Sequence, residues 1–210
     1  SRKPQTTRHQ VLGIYTNDGA QMIFVDTPGI HQTPKGQHTK ALNRYMNRTA
    51  LQVIDDVDCV LWVLTAGYET PEDEWIGQRL AKCETPLIIA LNKIDMLEKK
   101  QELLPQLAKI QAAYNPAAIV PISALKNDNL PELVKVLRDY MPEGKAFFDE
   151  DQLTDRTLRF LAAERIREKL TRQLGDELPH ELTVEIESFE EDEALARIHG
   201  LILVERDSQK

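Results

Sequence analysis

Short apolar runs alternate with amphipathic stretches along the first 141 residues of the chain. The run from Leu87 to Leu91 is wholly apolar and lies between Pro86 and a polar cluster, which is typical of a strand buried on both faces of a parallel sheet. Similar runs cover residues 22–25, 59–64 and 118–122. Strands that alternate with helices in this way predict an α/β fold with a mostly parallel, doubly wound sheet.

Helical spacing fills the segments between these runs. Pro71 and the three acidic residues after it mark a helix start, because acidic side chains interact favourably with the first turn. Apolar positions at helical spacing predict three further helices, at about residues 42–53, 103–110 and 131–137. Near the start of the chain, strand-like runs at Val11–Tyr15 and Met22–Val25 flank an Asp18-Gly19 pair, which favours a tight hairpin. We expect this antiparallel ribbon at the edge of the sheet.

The periodicity lapses after Pro142 and resumes at about residue 152, which indicates a domain boundary. The predicted division is a first domain at 1–141, a linker at 142–151 and a second domain at 152–210. The second domain is expected to contain a helix from Thr154 to Leu174 and strands at 182–187 and 196–204, joined by an acidic loop from Glu190 to Glu193. One helix and two strands leave an exposed sheet edge, so more chain is expected after Lys210.

The charge balance argues against a protein that coats nucleic acid by charge alone. Lys and Arg number 26 against 34 Asp and Glu, a formal net charge of −8. Residues 152–210 hold 14 acidic against nine basic residues. Six basic side chains nevertheless fall on the predicted long helix, where they could form a local RNA contact: Arg156, Arg159, Arg165, Arg167, Lys169 and Arg172.

The cysteine content favours a reducing compartment. Cys59 and Cys83 are far apart and lack a C-x-x-C spacing, which argues against a disulfide framework or a zinc site. No apolar run approaches the roughly 18 residues of a membrane span, and no signal peptide is visible. A cytoplasmic protein is therefore expected.

A polar cluster follows the most apolar strand. Asn92, Lys93 and Asp95 stand at its carboxyl end, where parallel sheets bind their ligands. A carboxylate there can accept paired hydrogen bonds from the ring N–H and exocyclic amino group of guanine, which adenine does not offer. Asn92 could contact the base edge, and the stem of Lys93 could cover the ring. The alternative is a polar turn in which Asp95 caps the next helix.

Two more polar segments follow predicted strands, one before and one after Asn92–Asp95 along the chain. Asp26 and Gly29 follow the second hairpin strand; an aspartate there can hold Mg²⁺ through water, and the Gly29 N–H can meet a terminal phosphate. Ser123 and Ala124 follow the strand after Asp95 and could brace the loop and donate to the guanine carbonyl oxygen. Together the three signals predict a nucleotide site.

These residues resemble the translation-factor-related GTPases and, within them, the Era-like GTPases with a KH RNA-binding domain. The segment Asp26-Thr27-Pro28-Gly29 is similar to that family's second switch, and Asn92–Asp95 and Ser123-Ala124 are similar to its guanine-binding loops. Gln5–His9 is similar to its first switch, in which Thr7, with Thr6 as the fallback, closes on Mg²⁺ and the terminal phosphate. The resemblance implies GTP or GDP with Mg²⁺ as cofactors, a catalytic role for Thr7, Asp26 and Gly29, and Mg²⁺ held by Thr7 and Asp26.

The second domain extends the resemblance to the opening of a KH domain of type II. The similar segments are 155–156, 164–170, 184–187 and 201–206. The resemblance implies small-subunit ribosomal RNA and the 30S subunit as partners in ribosome assembly. A monomer is expected, with a peripheral association at the inner face of the membrane as a further expectation and no transmembrane segment.

The family's phosphate loop, G-x-x-x-x-G-K followed by Ser or Thr, has no match in these 210 residues, and the G-x-x-G loop of a KH domain has none within 152–210. The chain alone is therefore expected neither to bind GTP tightly nor to hydrolyse it. Ile30 stands where Ras-like GTPases place a water-orienting glutamine, which implies slow hydrolysis. Two alternatives stay open: an RNA-binding assembly scaffold tuned by nucleotide, and a related tRNA-modifying GTPase.

Overall fold

The computed structural model describes residues 11–27, 53–173, 182–192 and 195–204. Thr6, Thr7, Pro28, Gly29 and Ile30 lie outside these ranges, as does the helix predicted from residue 42 up to residue 52. The chain divides into two compact units. The sheet unit lies within Tyr15–Met22 and Thr27–Glu150, and the helix-hairpin unit lies within Ser1–Ile14, Ile23–Asp26 and Asp151–Lys210.

The sheet unit is built on a parallel sheet of three strands in the order β3-β4-β5. The strands are β3 (Val60–Thr65), β4 (Leu87–Asn92) and β5 (Ala118–Pro121). Among the described residues of this unit, three helices have defined bounds: α1 (Pro71–Leu80), α2 (Leu103–Tyr114) and α3 (Leu130–Arg138). The predicted α/β fold with a parallel sheet is confirmed.

Strand β4 forms the centre of the core because both of its faces are covered. Ile88, Ile89, Ala90 and Leu91 are all 0 % exposed. Successive side chains of a strand point to opposite faces. Accordingly, Ile89 and Leu91 belong to one apolar cluster, with Trp62, Leu80, Ile110 and Tyr114, whereas Ile88 and Ala90 belong to a second, with Met22, Val120, Leu133 and Leu137. The continuous apolar run in the sequence thus reflects burial on two sides.

The predicted start of α1 is confirmed in detail. Thr70 is the N-cap: its hydroxyl oxygen accepts from the Asp73 N–H at 3.0 Å, and the Asp73 carboxylate accepts from the Thr70 N–H at 2.9 Å. This reciprocal pair satisfies two N–H groups that a helix leaves without intrahelical partners. Pro71 occupies the first turn, where its missing N–H costs nothing.

The predicted hairpin forms, but its expected place at the edge of the parallel sheet is wrong in the described residues. Strands β1 (Val11–Asn17) and β2 (Ala20–Asp26) make a two-stranded sheet of their own. The buried side chain of Met22 packs against the core of the sheet unit. Strand β1 also contacts a segment much later in the chain, because the Ile14 N–H donates to the Leu153 carbonyl at 2.8 Å.

The helix-hairpin unit contains α4 (Leu158–Gln173), β6 (Leu182–Asp192) and β7 (Leu195–Val204). Helix α4 begins four residues after the predicted Thr154, because the chain is still extended there and bridges to Gly13. The Leu12 N–H also donates to the Asp155 carboxylate at 3.0 Å. The predicted helix is thus shortened by pairing with β1.

The acidic loop predicted at Glu190–Glu193 is wrong for its described residues. Strand β6 continues to Asp192 and pairs in antiparallel fashion with β7, with Glu190 opposite Arg197. Opposite charges on paired strands stabilise the register, so the acidic residues extend the strand. A register shift between Ile186 and Ser188 marks a bulge in the middle of β6.

Candidate nucleotide-binding site

The loop after β4 is shaped by one residue in a left-handed conformation. Lys93 has a φ of +69°, and it is followed by a 3-10 turn at Ile94–Met96. A non-glycine residue with positive φ is uncommon and persists only where its surroundings enforce it. Here the Ile94 N–H donates to the Ile122 carbonyl at 3.2 Å, which ties this loop to the strand end that carries Ser123. The alternative interpretation, in which Asp95 caps a following helix, does not fit, because Asp95 lies within the short 3-10 turn itself.

Asn92 links the two loops through a single oxygen. Its Oδ1 accepts from the Lys93 N–H at 2.7 Å and from the Ala124 N–H at 3.0 Å. The amide oxygen is therefore committed to organising the loops, and the Nδ2 group is the part of this side chain with hydrogen-bonding capacity for a base edge. The predicted donation from Ala124 to a guanine oxygen would require this N–H to be shared with Asn92.

Asp95 and Ser123 are joined directly. The Ser123 hydroxyl donates to Oδ1 of Asp95 and accepts from the Lys126 N–H at 3.2 Å. Ser123 is 0 % exposed, whereas Asp95 is exposed. A carboxylate has about four lone-pair positions, so one hydrogen bond to serine leaves capacity for two donors of a base. The buried hydroxyl thus orients a carboxylate that faces solvent.

The Ser123–Asp128 loop is itself closed by backbone bonds. The Ser123 N–H donates to the Asp128 carbonyl at 3.1 Å, and the Asp128 N–H donates back to Ser123 at 3.0 Å. Asn127 and Asn129 have φ of +57° and +58°, a conformation that asparagine tolerates better than most residues. The loop that carries Ser123 and Ala124 is therefore held in place by its own backbone hydrogen bonds.

The turn after β3 adds a third element that the sequence interpretation missed. The Ala66 N–H donates to the Asn92 carbonyl at 2.7 Å, directly beside the asparagine. Gln106 of α2 stabilises this turn, because its side-chain amide is hydrogen-bonded to both Thr65 and Gly67. A polar residue between the apolar positions Leu103 and Leu107 was the signal that could have drawn attention to it.

The structure thus brings together four predicted residues, Asn92, Asp95, Ser123 and Ala124, with Lys93 between them. Asp26 is the last residue of β2, is exposed and belongs to the helix-hairpin unit; Thr27 follows it. The other predicted site residues, Thr7, Pro28 and Gly29, lie outside the described ranges. Among the described residues, no group of three His, Cys, Asp or Glu side chains forms a metal-binding cluster.

The basic face predicted on α4 is smaller than the sequence suggested. Arg167 is 5 % exposed and is paired with Glu164, through Nε at 2.8 Å and through the guanidinium terminus at 2.6 Å. The hydrogen bonds to Glu164 raise the pKa of the Arg167 guanidinium above its ordinary value. Arg165 is exposed and paired with Glu168 at 2.6 Å. Arg167 is therefore unsuited to an RNA contact, because its charge is buried and partnered.

A parallel sheet whose central strand is followed by a polar Asn-Lys-x-Asp loop is typical of nucleotide-binding proteins of the GTPase class. The first 93 residues match a family model described as 50S ribosome-binding GTPase. The chain is 54% identical over 210 residues to GTPase Era of Pseudomonas fluorescens, covering 100% of this chain and 69% of that protein. It is 50% identical to GTPase Era of Pseudomonas aeruginosa, covering 68% of that protein. The chain belongs to the Era family of GTPases.

Solved structures agree with this assignment. A variant of Aquifex aeolicus Era bound to GDP and AlF4⁻ superposes with a TM-score of 0.87 at 38% identity, covering 100% of this chain and 71% of that chain. Era in complex with MgGDPNP and nucleotides 1506–1542 of 16S ribosomal RNA superposes with a TM-score of 0.88, also at 38% identity and with the same coverage. Within the described residues, no helix has the length and apolar content needed to cross a membrane.

Proposed function

We propose that this chain acts in a guanine-nucleotide-dependent GTPase that works with small-subunit ribosomal RNA during assembly of the 30S subunit. The observation that carries the proposal is the bond between the buried Ser123 hydroxyl and the Asp95 carboxylate, at the end of the central strand of an Era-family sheet. This bond orients an exposed carboxylate, the group that two donors of guanine can address together.

The proposed guanine-binding roles fall on residues that contact one another. Asp95 accepts from the ring N–H and the exocyclic amino group, and the Nδ2 group of Asn92 donates to the base edge. The stem of Lys93, which is exposed, covers one face of the ring. Ser123 and Ala124 hold the loop that closes the other side. Support comes from the hydrogen bonds that join these residues to one another.

The phosphate-binding roles rest on the family motifs. GTP or GDP binds together with Mg²⁺, which Thr7 and Asp26 hold, and Asp26, Thr27, Pro28 and Gly29 form the second switch. Exposure of Asp26 at the end of a strand fits a carboxylate that reaches a hydrated cation. The nucleotides bound to the related Era structures, GDP with AlF4⁻ and MgGDPNP, support this assignment.

The 210 residues contain no phosphate-loop sequence, and the other loops cannot replace its backbone cradle, its lysine and its Mg²⁺ ligand. We therefore expect nucleotide binding and turnover only in a form of the protein that carries such a loop. Ile30 has no group that could orient water, so slow hydrolysis is expected, with the water placed by the backbone, the metal ion or a partner.

RNA binding is proposed for the helix-hairpin unit. Its helix followed by two antiparallel strands fits the opening of a KH domain, with the first domain at 1–141, a linker at 142–151 and the KH segment at 152–210. The compact unit that includes α4 begins at Asp151 on that side, which supports this boundary. The complex of a related Era with 16S ribosomal RNA supports the choice of partner. A cytoplasmic monomer is part of the proposal, and peripheral membrane association stays a prediction.

Hydrolysis measurements separate an enzyme from a nucleotide-tuned scaffold. We would measure multiple-turnover GTP hydrolysis by a phosphate-loop-bearing form, with and without an RNA of the 3′ segment of 16S ribosomal RNA. The expected result is slow turnover that changes when the RNA is added. Binding of GTP and RNA without turnover would favour the scaffold, and an absence of GTP binding would contradict the proposal. The second alternative, a tRNA-modifying GTPase, is disfavoured because the Era relatives match 100% of this chain.

The 210-residue chain serves as the matched control in the same assay. Submicromolar binding of a fluorescent GTP analogue to this chain alone would contradict the proposed need for a phosphate loop.

A further inference from the structure

We infer that Gln106 is a positioning residue for the guanine-binding loop: through the turn after β3, it fixes Asn92 and the turn that carries Asp95. The inference rests on the proposed function and adds a residue outside the family motifs. Gln106 lies on α2, is half-buried and is 11 residues after Asp95 in the sequence. Its effect on nucleotide binding would therefore be indirect.

Both ends of the Gln106 amide are used on the same turn. Its Oε1 accepts from the Gly67 N–H at 2.8 Å, and its Nε2 donates to the Thr65 carbonyl at 3.3 Å. The two bonds clamp a turn that the Tyr68 N–H closes by donating to the same Thr65 carbonyl at 3.3 Å. Gln106 thus stabilises this conformation of the turn through hydrogen bonds that an apolar side chain of the same length could not make.

The turn transmits this constraint to the guanine-binding loop at two points. The Ala66 N–H, which lies between the two clamped residues, donates to the Asn92 carbonyl at 2.7 Å. Gly67 packs so closely on Leu97 that an added Cβ would lie 2.8 Å from Leu97 Cδ2. The Leu97 N–H in turn closes the 3-10 turn by donating to the Ile94 carbonyl at 3.3 Å. One contact therefore reaches the residue that precedes Lys93, and the other reaches the turn that contains Asp95.

A second side chain of α2 holds the same segment one helical turn later. Lys109 donates to the Glu69 carboxylate, and this hydrogen bond raises the pKa of the Lys109 ammonium. The pair is exposed, so its contribution to stability is small. The ion pair matters because it shows that one face of α2 contacts the whole segment from Thr65 to Glu69. Gln106 and Lys109 lie three residues apart on that face and bind successive parts of the segment.

The test compares binding of GDP and IDP, because the hypoxanthine base of IDP lacks the exocyclic amino group that Asp95 would recognise. The ratio of the two dissociation constants is measured for the phosphate-loop-bearing form, for Gln106→Met and for Gln106→Ala. Both variants lose the two hydrogen bonds, and both residues are strong helix formers, so α2 should persist. We expect the preference for GDP to fall about fivefold, the effect of roughly one lost hydrogen bond transmitted to the site.

Gln111→Met is the matched control. Gln111 lies on the same helix, is exposed and donates to Asn115 at the end of the helix, at 3.2 Å. Its variant should keep the wild-type preference. A general loss of stability would weaken binding of GDP and IDP alike and leave their ratio unchanged, so the ratio separates positioning from folding.

Hydrogen exchange provides a second measurement that needs no nucleotide. In the 210-residue chain, the Gly67 amide should exchange faster in Gln106→Met than in Gln111→Met, since only the first loses the acceptor. An unchanged GDP-to-IDP ratio in both Gln106 variants would overturn the inference while leaving the proposed function intact. If the wild-type form binds no GDP, the proposed function fails, and the inference that rests on it fails as well.

Discussion

The hydroxyl of Ser123 and the carboxylate of Asp95 are hydrogen-bonded although 28 residues separate them in the sequence. They meet because β4 and β5 are neighbouring parallel strands, so the loops that follow them leave the sheet at the same edge. The buried serine fixes one oxygen of an exposed carboxylate. In the proposed function, this constraint lowers the entropic cost of recognising a base.

Ser123→Ala should weaken GDP binding without unfolding the protein. The change removes a donor to Asp95 and leaves the Lys126 N–H without its acceptor in this loop, at a cost of about 1–3 kcal/mol for buried partners left unsatisfied. We expect roughly a tenfold rise in the Kd for GDP of the phosphate-loop-bearing form, measured by calorimetry. Ser188→Ala in β6 is the control and should leave GDP binding unchanged. Equal effects of the two substitutions would argue against the role of Ser123.

Asp95→Asn should change which base is preferred. In the proposed function the Asp95 carboxylate accepts two hydrogen bonds from guanine, whereas an asparagine amide offers one acceptor oxygen and an N–H donor, which suits the carbonyl that xanthine carries in place of the amino group. Affinity for GDP should fall by about two orders of magnitude or more, and affinity for XDP should rise above that of the wild type. Competition between the two nucleotides measures this directly. A variant that loses GDP and XDP binding equally would show that Asp95 supports the loop and does not read the base.

The sequence was most informative where burial or a sharp change in polarity marks an element. β4 was predictable because its apolar run is continuous, and the polar loop after it was predictable because Asn92 and Asp95 follow that run directly. Predicting that this loop and Ser123 belong to one site required the order of the motifs along the chain. The hydrogen bond itself depends on strand register, which local patterns do not specify.

Other features depend on long-range pairing that no local pattern carries. The acidic residues at the end of β6 resemble a solvated loop, yet Glu190 lies opposite Arg197 in the partner strand. The start of α4 is displaced because Thr154 pairs with Gly13, about 140 positions earlier in the sequence. Gln106 was missed for the same reason, since its partners Thr65 and Gly67 belong to a turn 41 and 39 residues away.

Gly67→Ala should destabilise the sheet unit by about 1–3 kcal/mol, as strained backbone and crowded side chains do. Gly67 has a φ of +71°, and the new methyl group would lie 2.8 Å from Leu97 Cδ2. Two controls separate the causes: Gly19 has a φ of +73° with no atom within 4 Å, and Gly144 has neither feature. Urea unfolding should rank the losses as Gly67 above Gly19 above Gly144. A Gly67 variant no less stable than Gly19→Ala would remove the steric contribution.

Removing Glu164 should destabilise the helix-hairpin unit more than removing Glu168, although both glutamates pair with an arginine of α4. Arg167 is 5 % exposed, so Glu164→Ala removes two charge-assisted hydrogen bonds from a buried guanidinium, at a cost of about 2 kcal/mol after allowance for the partial exposure of Glu164. Glu168→Ala removes an ion pair with the exposed Arg165, and the loss of that pair should cost at most about 0.5 kcal/mol. Chemical denaturation, with unfolding of the unit monitored by hydrogen exchange of the β6 amides, measures the loss of stability in each variant.

The double variant Glu164→Leu with Arg167→Met distinguishes the loss of the ion pair from the burial of a guanidinium that has lost its Glu164 carboxylate. Replacing both partners of a buried pair by apolar side chains is often neutral, because neither charge is then buried and apolar side chains still pack at both positions. We therefore expect the double variant to be more stable than Glu164→Ala and within about 1 kcal/mol of the wild type. If the double variant were the least stable of the three, the pair itself would contribute to stability, and the destabilisation by Glu164→Ala could not be assigned to the buried charge alone.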